Sequence, residues 1–360
     1  MKKVLTWLMM AVMMVSLTAC GSQEEQESSV DTESSIVEES SETEESSEAE
    51  ESSEASQDAY EKVDMSIAVL KGPTGMGMLQ MMHDAKEGNT PDNYDFTLAG
   101  SVDEVLGSII TREYDIAAVP TNVAATLYNK TEGGIQLAAL NTLGVLYCVE
   151  TGDSIQSITD LKGKTVYSLG KGSTPEYAFN FLLRENGLDP ETDLTIEYKS
   201  EATEVAALMA SGEATIALLP QPFVTSLMTQ NENVRVAFDF TEEWQKIGDG
   251  SILTMGCIVV QKDFAEENPE ALERFLEAYE ASVAFTNGAD TIATAAQYSE
   301  EFDILKAAVA EKAIPECNIV FKRGAEMKTI TEGFLQVMYD ADPASVGGAL
   351  PDAEFYYNAE

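Results

Sequence analysis

Side chains able to do covalent or metal chemistry are sparse in this chain of 360 residues. Its single histidine, His83, would have to anchor any Ser-His-Asp relay or imidazole-rich zinc site. It stands in HDAK (83–86), a helix-like stretch that offers little for such a role, so no enzymatic activity is expected. Met76, Met78, Met81 and Met82 lie just before it, and thioethers suit Cu(I). Their spacing spreads them around a helix, which favours core packing; a soft-metal-binding lipoprotein is the competing reading. Gly163-Lys164-Thr165 imitates the end of a P-loop, but Ile158 stands where the first glycine is required and the segment precedes a strand. Beyond Cys20, the odd set Cys148, Cys257 and Cys317 gives no disulfide framework. Cys148 and Cys257 sit in apolar, strand-like runs, so buried thiols are expected, with a bridge between them as the alternative.

What remains is binding chemistry, carried by two loops. LKGPTGMGM (70–78) and LGKGSTPEY (169–177) each follow a short apolar run and precede a helical pattern. A helix N-terminus presents unpaired backbone N–H groups and about half a positive charge, enough to hold a polar or anionic group. Two further Pro-containing loops, Pro120-Thr121-Asn122 and Pro220-Gln221-Pro222, read the same way. The candidate ligand contacts are Lys71, Gly72, Pro73 and Thr74, with Pro120, Thr121 and Asn122 from the first half. Gly172, Ser173, Thr174 and Tyr177, with Pro220 and Gln221, come from the second. Thr174-Pro175-Glu176 reads as N-cap, first helical residue and first-turn acid. The competing reading is that these residues serve turns and caps alone.

The elements behind the loops repeat at an interval of 100 residues. SVDEVLGSIITREYDIAAVPTNVAATLY (101–128) falls on EATEVAALMASGEATIALLPQPFVTSLM (201–228), and Lys71-Gly72 falls on Lys171-Gly172. Strands are expected at 65–70, 94–99 and 115–119 in the first half, and at 165–169, 194–198 and 215–219 in the second. Short apolar strands alternating with helices imply βαβ units, and two copies imply two α/β lobes whose loops face one cleft. A second echo pairs Thr142-Leu143-Gly144 with Thr254-Met255-Gly256 on either side of the second half. It marks two hinge crossings, giving lobe 1 as 61–150 plus 250–360 and lobe 2 as 151–249. NPEALERFLEAYEASVAF (268–285) is an amphipathic helix expected to pack back on lobe 1.

The N-terminus is a different material. Lys2-Lys3, the apolar run 4–15 and Leu17-Thr18-Ala19-Cys20 have the layout of a secretory signal over 1–19, and the last four residues resemble a bacterial lipobox. Lipidation of Cys20 would anchor the exported chain to the membrane surface. Residues 20–60 follow as a disordered Ser/Glu tether, with 15 acidic residues and no Lys or Arg over 21–60. The net charge of −42 falls to −29 on residues 61–360 once the signal lysines and the tether are set apart, which excludes nucleic acid as a natural partner.

LTAC, the tether, GKGSTPEYAFNFLL (170–183), DIAAVPTN with TIALLPQPF, CNIVFKRG and VGGALPDAEFYY (346–357) together resemble a bacterial ABC-transporter solute-binding lipoprotein. Within that superfamily the chain is similar to the nitrate, sulfonate, taurine and thiamine-precursor binding group. The resemblance implies a two-lobed type II periplasmic-binding fold, each lobe a mixed, mostly parallel sheet flanked by helices. It also implies a monomeric, membrane-anchored protein that captures a small polar or anionic organic solute, whether sulfonate, nitrate or pyrimidine-like, for a permease and needs no cofactor. A solute-sensing surface lipoprotein is the other reading of the same cleft.

Overall fold

A computed structural model describes residues 60–247 and 250–358. The signal segment, Cys20 and the tether up to residue 59 lie outside the described residues.

Three strands open the first half: β1 (Asp64–Leu70), β2 (Asn93–Ala99) and β3 (Ile116–Pro120), followed by β4 (Ile135–Leu143). The chain continues as β5 (Leu146–Thr151), β6 (Thr165–Leu169), β7 (Thr195–Lys199), β8 (Ile216–Pro220) and β9 (Val234–Asp239), and ends its sheets with β10 (Thr254–Gln261) and β11 (Ile319–Lys322). The six strands expected from the repeat form within one residue of their expected limits. They build two sheets, ordered β11-β4-β10-β3-β1-β2 and β7-β6-β8-β5-β9. Apart from the edge strand β11, the two have one layout.

The parallel character is confined to β1, β2 and β3, and to β6, β7 and β8. The rest is antiparallel, because the chain changes sheets at the cleft end. β4 finishes there, and after Gly144-Val145 the chain enters the second sheet as β5, running away from the cleft against β8 and β9. The return from β9 enters the first sheet as β10, again antiparallel to its neighbours β3 and β4. Residues 146–150, expected in the first lobe, thus belong to the second sheet. The sequence echo is real but sits two residues off: Leu146, not Gly144, matches Gly256, since Leu146 pairs with Pro220 and Gly256 with Pro120.

Helices cover both faces, and alternate residues of the central strands serve two cores. On β3, Ile116 and Ala118 face one cluster while Ala117 and Val119 face the other; on β10, Ile258 and Val260 oppose Cys257 and Val259 in the same way. Strands buried on both sides read as continuous apolar runs, which is why DIAAV and TIALL stand out in the sequence. In chain order the helices are α1 (Pro73–Met76), α2 (Leu79–Glu87), α3 (Asp103–Ile110), α4 (Thr121–Lys130), α5 (Thr174–Glu185), α6 (Ala202–Ser211), α7 (Phe223–Gln230) and α8 (Phe240–Ile247). They continue with α9 (Lys262–Glu267), α10 (Pro269–Asn287), α11 (Ile292–Glu301), α12 (Ala307–Ala313) and α13 (Gly324–Ala341). As expected, α10 returns to the first sheet, burying Leu272, Phe275, Leu276 and Tyr279 with Ile67 of β1 and Ile258 of β10. α13 joins the halves: its Phe334 lies 5.9 Å from Trp244 of α8, in one cluster with Val119 and Leu218. Met76, Met78, Met81 and Met82 are buried core residues, and Cys148, Cys257 and Cys317 are free, buried thiols.

Candidate functional site

A cavity of about 720 Å³ opens at the carboxyl ends of the parallel strands of both sheets. The first half supplies Leu70, Lys71 and Pro73 after β1, Gly100 to Asp103 after β2, and Pro120 at the end of β3. The second half supplies the counterparts: Leu169, Gly170, Lys171, Ser173 and Pro175 after β6, Tyr198 to Thr203 after β7, and Pro220 with Phe223 after β8. Met255, Asp303 and Ile304 complete the wall. Strand ends, where helices begin and the side-chain layers stop, are where open parallel sheets hold ligands.

Of the residues singled out in the sequence, Lys71, Pro73, Pro120, Ser173 and Pro220 line this cavity. Gly72, Thr74, Thr121, Asn122, Gly172, Thr174, Tyr177 and Gln221 do not. Several of their polar groups are spent elsewhere. Thr74 Oγ1 donates to the Leu70 carbonyl at 3.0 Å. Thr174 Oγ1 donates to Asn122 Oδ1 at 2.9 Å, and Asn122 Nδ2 donates to the Ser345 carbonyl at 2.9 Å, all fully buried, so this pair ties the two halves together. Gln221 Oε1 accepts from Thr225 N and Oγ1. Tyr177 is half-buried against the shared core, and Thr121 is buried with its hydroxyl unpartnered.

The helix ends also differ from expectation. α5 begins at Thr174 with Ser173, not Thr174, in the capping position, and the Ser173 hydroxyl turns back to the Gly170 carbonyl at 2.7 Å. Gly170 has φ 68°, and a Cβ there would stand 2.6 Å from Ser173 Oγ, so this tight turn admits only glycine. Glu176 in the first turn accepts from Gly172 N at 2.5 Å, and Glu104 in the first turn of α3 accepts from Ser101 N at 3.0 Å. Protein carboxylates already occupy donors at these two helix starts. The cavity's positive charge comes instead from Lys71, Lys171 and Lys199, set among Asp103, Glu201 and Asp303. Lys71 is paired to the exposed Asp303 at 3.4 Å. Lys171 Nζ stands 5.8 Å from the centre of the Tyr198 ring, and Lys199 Nζ 5.6 Å from that of Tyr167. Burial, and then the Glu176 carboxylate, push the Tyr198 phenol well above its ordinary value, so it remains a neutral hydrogen-bonding group.

A family model described as ABC transporter, phosphonate, periplasmic substrate-binding protein matches residues 93–310. The chain belongs to that family. Such substrate-binding proteins capture small solutes outside the cytoplasm and deliver them to a membrane permease, as the sequence resemblance implies. Among solved structures, this substrate-binding protein is similar to an ABC transporter protein from Parabacteroides distasonis, at 26% identity and TM-score 0.66, over 81% of this chain and 98% of that one. It shares the fold of the periplasmic aliphatic sulphonate binding protein of Escherichia coli, at 15% identity and TM-score 0.64, over 82% and 92% of the two chains. It also shares the fold of the periplasmic nitrate-binding protein of Synechocystis PCC 6803, at 12% identity and TM-score 0.52, over 67% and 66%. No curated protein matches. The two-lobed type II periplasmic-binding architecture expected from the sequence is the one observed.

The loops after β2 and β7 escaped the sequence reading. Neither carries a Gly-Lys or Pro signature, but Gly100-Ser101 and Ser200-Glu201 stand 100 residues apart, so the repeat itself contained the signal. His83 does not line the cavity; it is stacked on Tyr298 at 3.9 Å with Nδ1 3.2 Å from Glu301. Among the described residues no cluster of His, Cys, Asp or Glu is placed to hold a metal ion, and no helix is long and apolar enough to cross a membrane.

Proposed function

We propose that this chain is the lipid-anchored solute-binding component of an ABC importer. It would be tethered through Cys20 at the extracytoplasmic face of the cell membrane and capture a small polar or anionic organic solute in the cavity between its lobes. The observation that carries this reading is the cavity wall itself, to which the ends of three parallel strands in each sheet contribute matching loops. Its volume of about 720 Å³ falls in the range of sites for organic ligands, and much of its wall is apolar, including Val102, Phe223, Met255 and Ile304, which favours an organic solute over nitrate. Lys171 and Lys199 are the cationic contacts for an acidic group, and the crossings at 144–145 and 250–253 the hinge about which the lobes close.

The test is native mass spectrometry followed by thermal shift with alkylsulfonates, alkylphosphonates, nitrate and pyrimidines. A solute at 100 times its dissociation constant adds about 2.7 kcal/mol of stability. For an anionic solute, Lys171→Gln and Lys199→Gln each weaken binding about tenfold without lowering the melting temperature. Unchanged affinity in both variants would move the acidic group's site elsewhere.

A further inference from the structure

Behind the first loop lies a set of buried polar groups that the packing leaves unanswered. Between Gly256 and Cys257 of β10 the partner strand β4 advances from Thr142 to Leu140, so Asn141 is the extra residue of a β-bulge. Its Oδ1 accepts from Thr142 Oγ1 at 3.0 Å, but among the described residues its Nδ2 has no partner. Thr254 Oγ1 and Tyr279 Oη have none either, and all three residues are 0% exposed. Asn141 lies close enough to Tyr279 to work against the burial that raises its phenol, though outside hydrogen-bonding geometry. A native protein tolerates such costs mainly where function requires them.

Two of these groups, Asn141 and Tyr279, abut α1. A Cβ on Gly256 would stand 2.5 Å from Asn141 Oδ1 and 2.7 Å from Thr74 Cγ2, and a Cβ on Gly77 would stand 2.8 Å from Tyr279 Oη. On its other side α1 meets the cavity through Pro73. The helix is only four residues long, and it is entered through Gly72 at φ 131°, ψ −157°, backbone that is essentially glycine's alone and that gathers at moving, functional loops. From outside it is held by Thr74 Oγ1 on the Leu70 carbonyl, by Thr286 Oγ1 on the Met76 carbonyl, each at 3.0 Å, and by Met76 itself, which is buried in the core cluster with Tyr279.

We propose that α1 is a movable plug over a neutral polar recess, formed by Asn141 and Tyr279, that extends the cavity and accepts an uncharged hydrogen-bonding group of the solute, a hydroxyl, carbonyl or amide. This rests on the solute-binding reading above, but its tests do not need the solute.

Cys317 reports on the plug, because its Sγ lies 4.0 Å from Met76 Sδ under α1, while Cys148 and Cys257 are held within the sheets. With the full chain in methyl methanethiosulfonate, read by peptide mass spectrometry with Cys20 followed separately, Cys317 reacts at least about tenfold faster than Cys148 and Cys257, at a rate insensitive to low urea. Gly72→Ala accelerates Cys317 alone, and 0.5 M acetamide, as a minimal amide probe, raises its rate about twofold by holding the recess open. Tyr279→Phe removes an unanswered hydroxyl and raises the melting temperature by about 1–3 °C. A single common rate for the three thiols, rising together with urea, overturns the plug. No response to acetamide, or a clear loss of stability in Tyr279→Phe, overturns the recess as a site. Failure to find any solute would count against the importer reading and leave these readouts standing.

Discussion

Thr174→Val tests what holds the two halves together beneath the cavity. The substitution keeps the side chain's shape and removes its hydroxyl, which donates to Asn122 Oδ1 at 2.9 Å between two residues that are 0% exposed. Loss of a neutral hydrogen bond costs about 1 kcal/mol, and a buried acceptor left unanswered adds about 1–3 kcal/mol. The full penalty applies because Asn122 cannot swing toward water: its Nδ2 is fixed on the Ser345 carbonyl. The expected loss is about 2–4 kcal/mol, or a melting temperature lower by about 5 °C for a domain of this size. Calorimetry on the wild type, Thr174→Val, Asn122→Ala and the double variant gives the coupling directly, expected at about 1–2 kcal/mol. A coupling near zero, or an unmoved melting temperature alongside lost solute affinity, would show that the Thr174 hydroxyl faces the solute and not Asn122.

Other substitutions probe the frame around the site. Burial would raise the Glu150 carboxyl, but hydrogen bonds from Ser154 and Ile155 together with the Arg235 guanidinium at 2.8 Å outweigh it and hold the group below its ordinary value near 4.5. A carboxyl depressed on folding stabilises the fold above its unfolded pKa and loses that contribution as pH falls through the folded one, so Glu150→Gln should flatten the acid limb of a stability-versus-pH curve between pH 5 and the acid transition. An unchanged limb would mean that other carboxyls govern it. Gly256→Ala forces a methyl against Asn141 and Thr74 and should cost about 1–3 kcal/mol in a urea melt; a neutral result would mean that the α1 loop yields freely. Arg274→Ala strips both of its hydrogen bonds, each 2.8 Å, from the fully buried Asp92 and should destabilise by about 3 kcal/mol, which equilibrium unfolding would detect.

The strands were legible because apolar runs such as DIAAV and TIALL are bounded by turn residues, and because the repeat at 100 residues showed each of them twice. The loops at strand ends were legible where glycine and proline mark them, at 71–73 and 170–175, and not where SVDE and SEAT carry no such mark. What individual side chains do was less accessible. Thr174 reads in the sequence as an N-cap and a ligand contact, and only the approach of α4 to α5 reveals the partner of its hydroxyl. Glu176 reads as a favourable first-turn acid, yet its hold on Gly172 N changes which groups remain for a solute. The bulge at Asn141 leaves no local signature at all, since it arises from the register of β10 against β4.

Each sheet keeps a strand in its interior that is contributed from across the crossover: β10 lies between β3 and β4, and β5 between β8 and β9. The first module is therefore split in the gene, and a fragment stopping at residue 143 would lack the piece that joins β4 to its companions. Neither module can be excised as a contiguous cassette from its apparent first strand to its fourth. A grafting experiment that aims to exchange one binding face for another must carry the borrowed strand along with it.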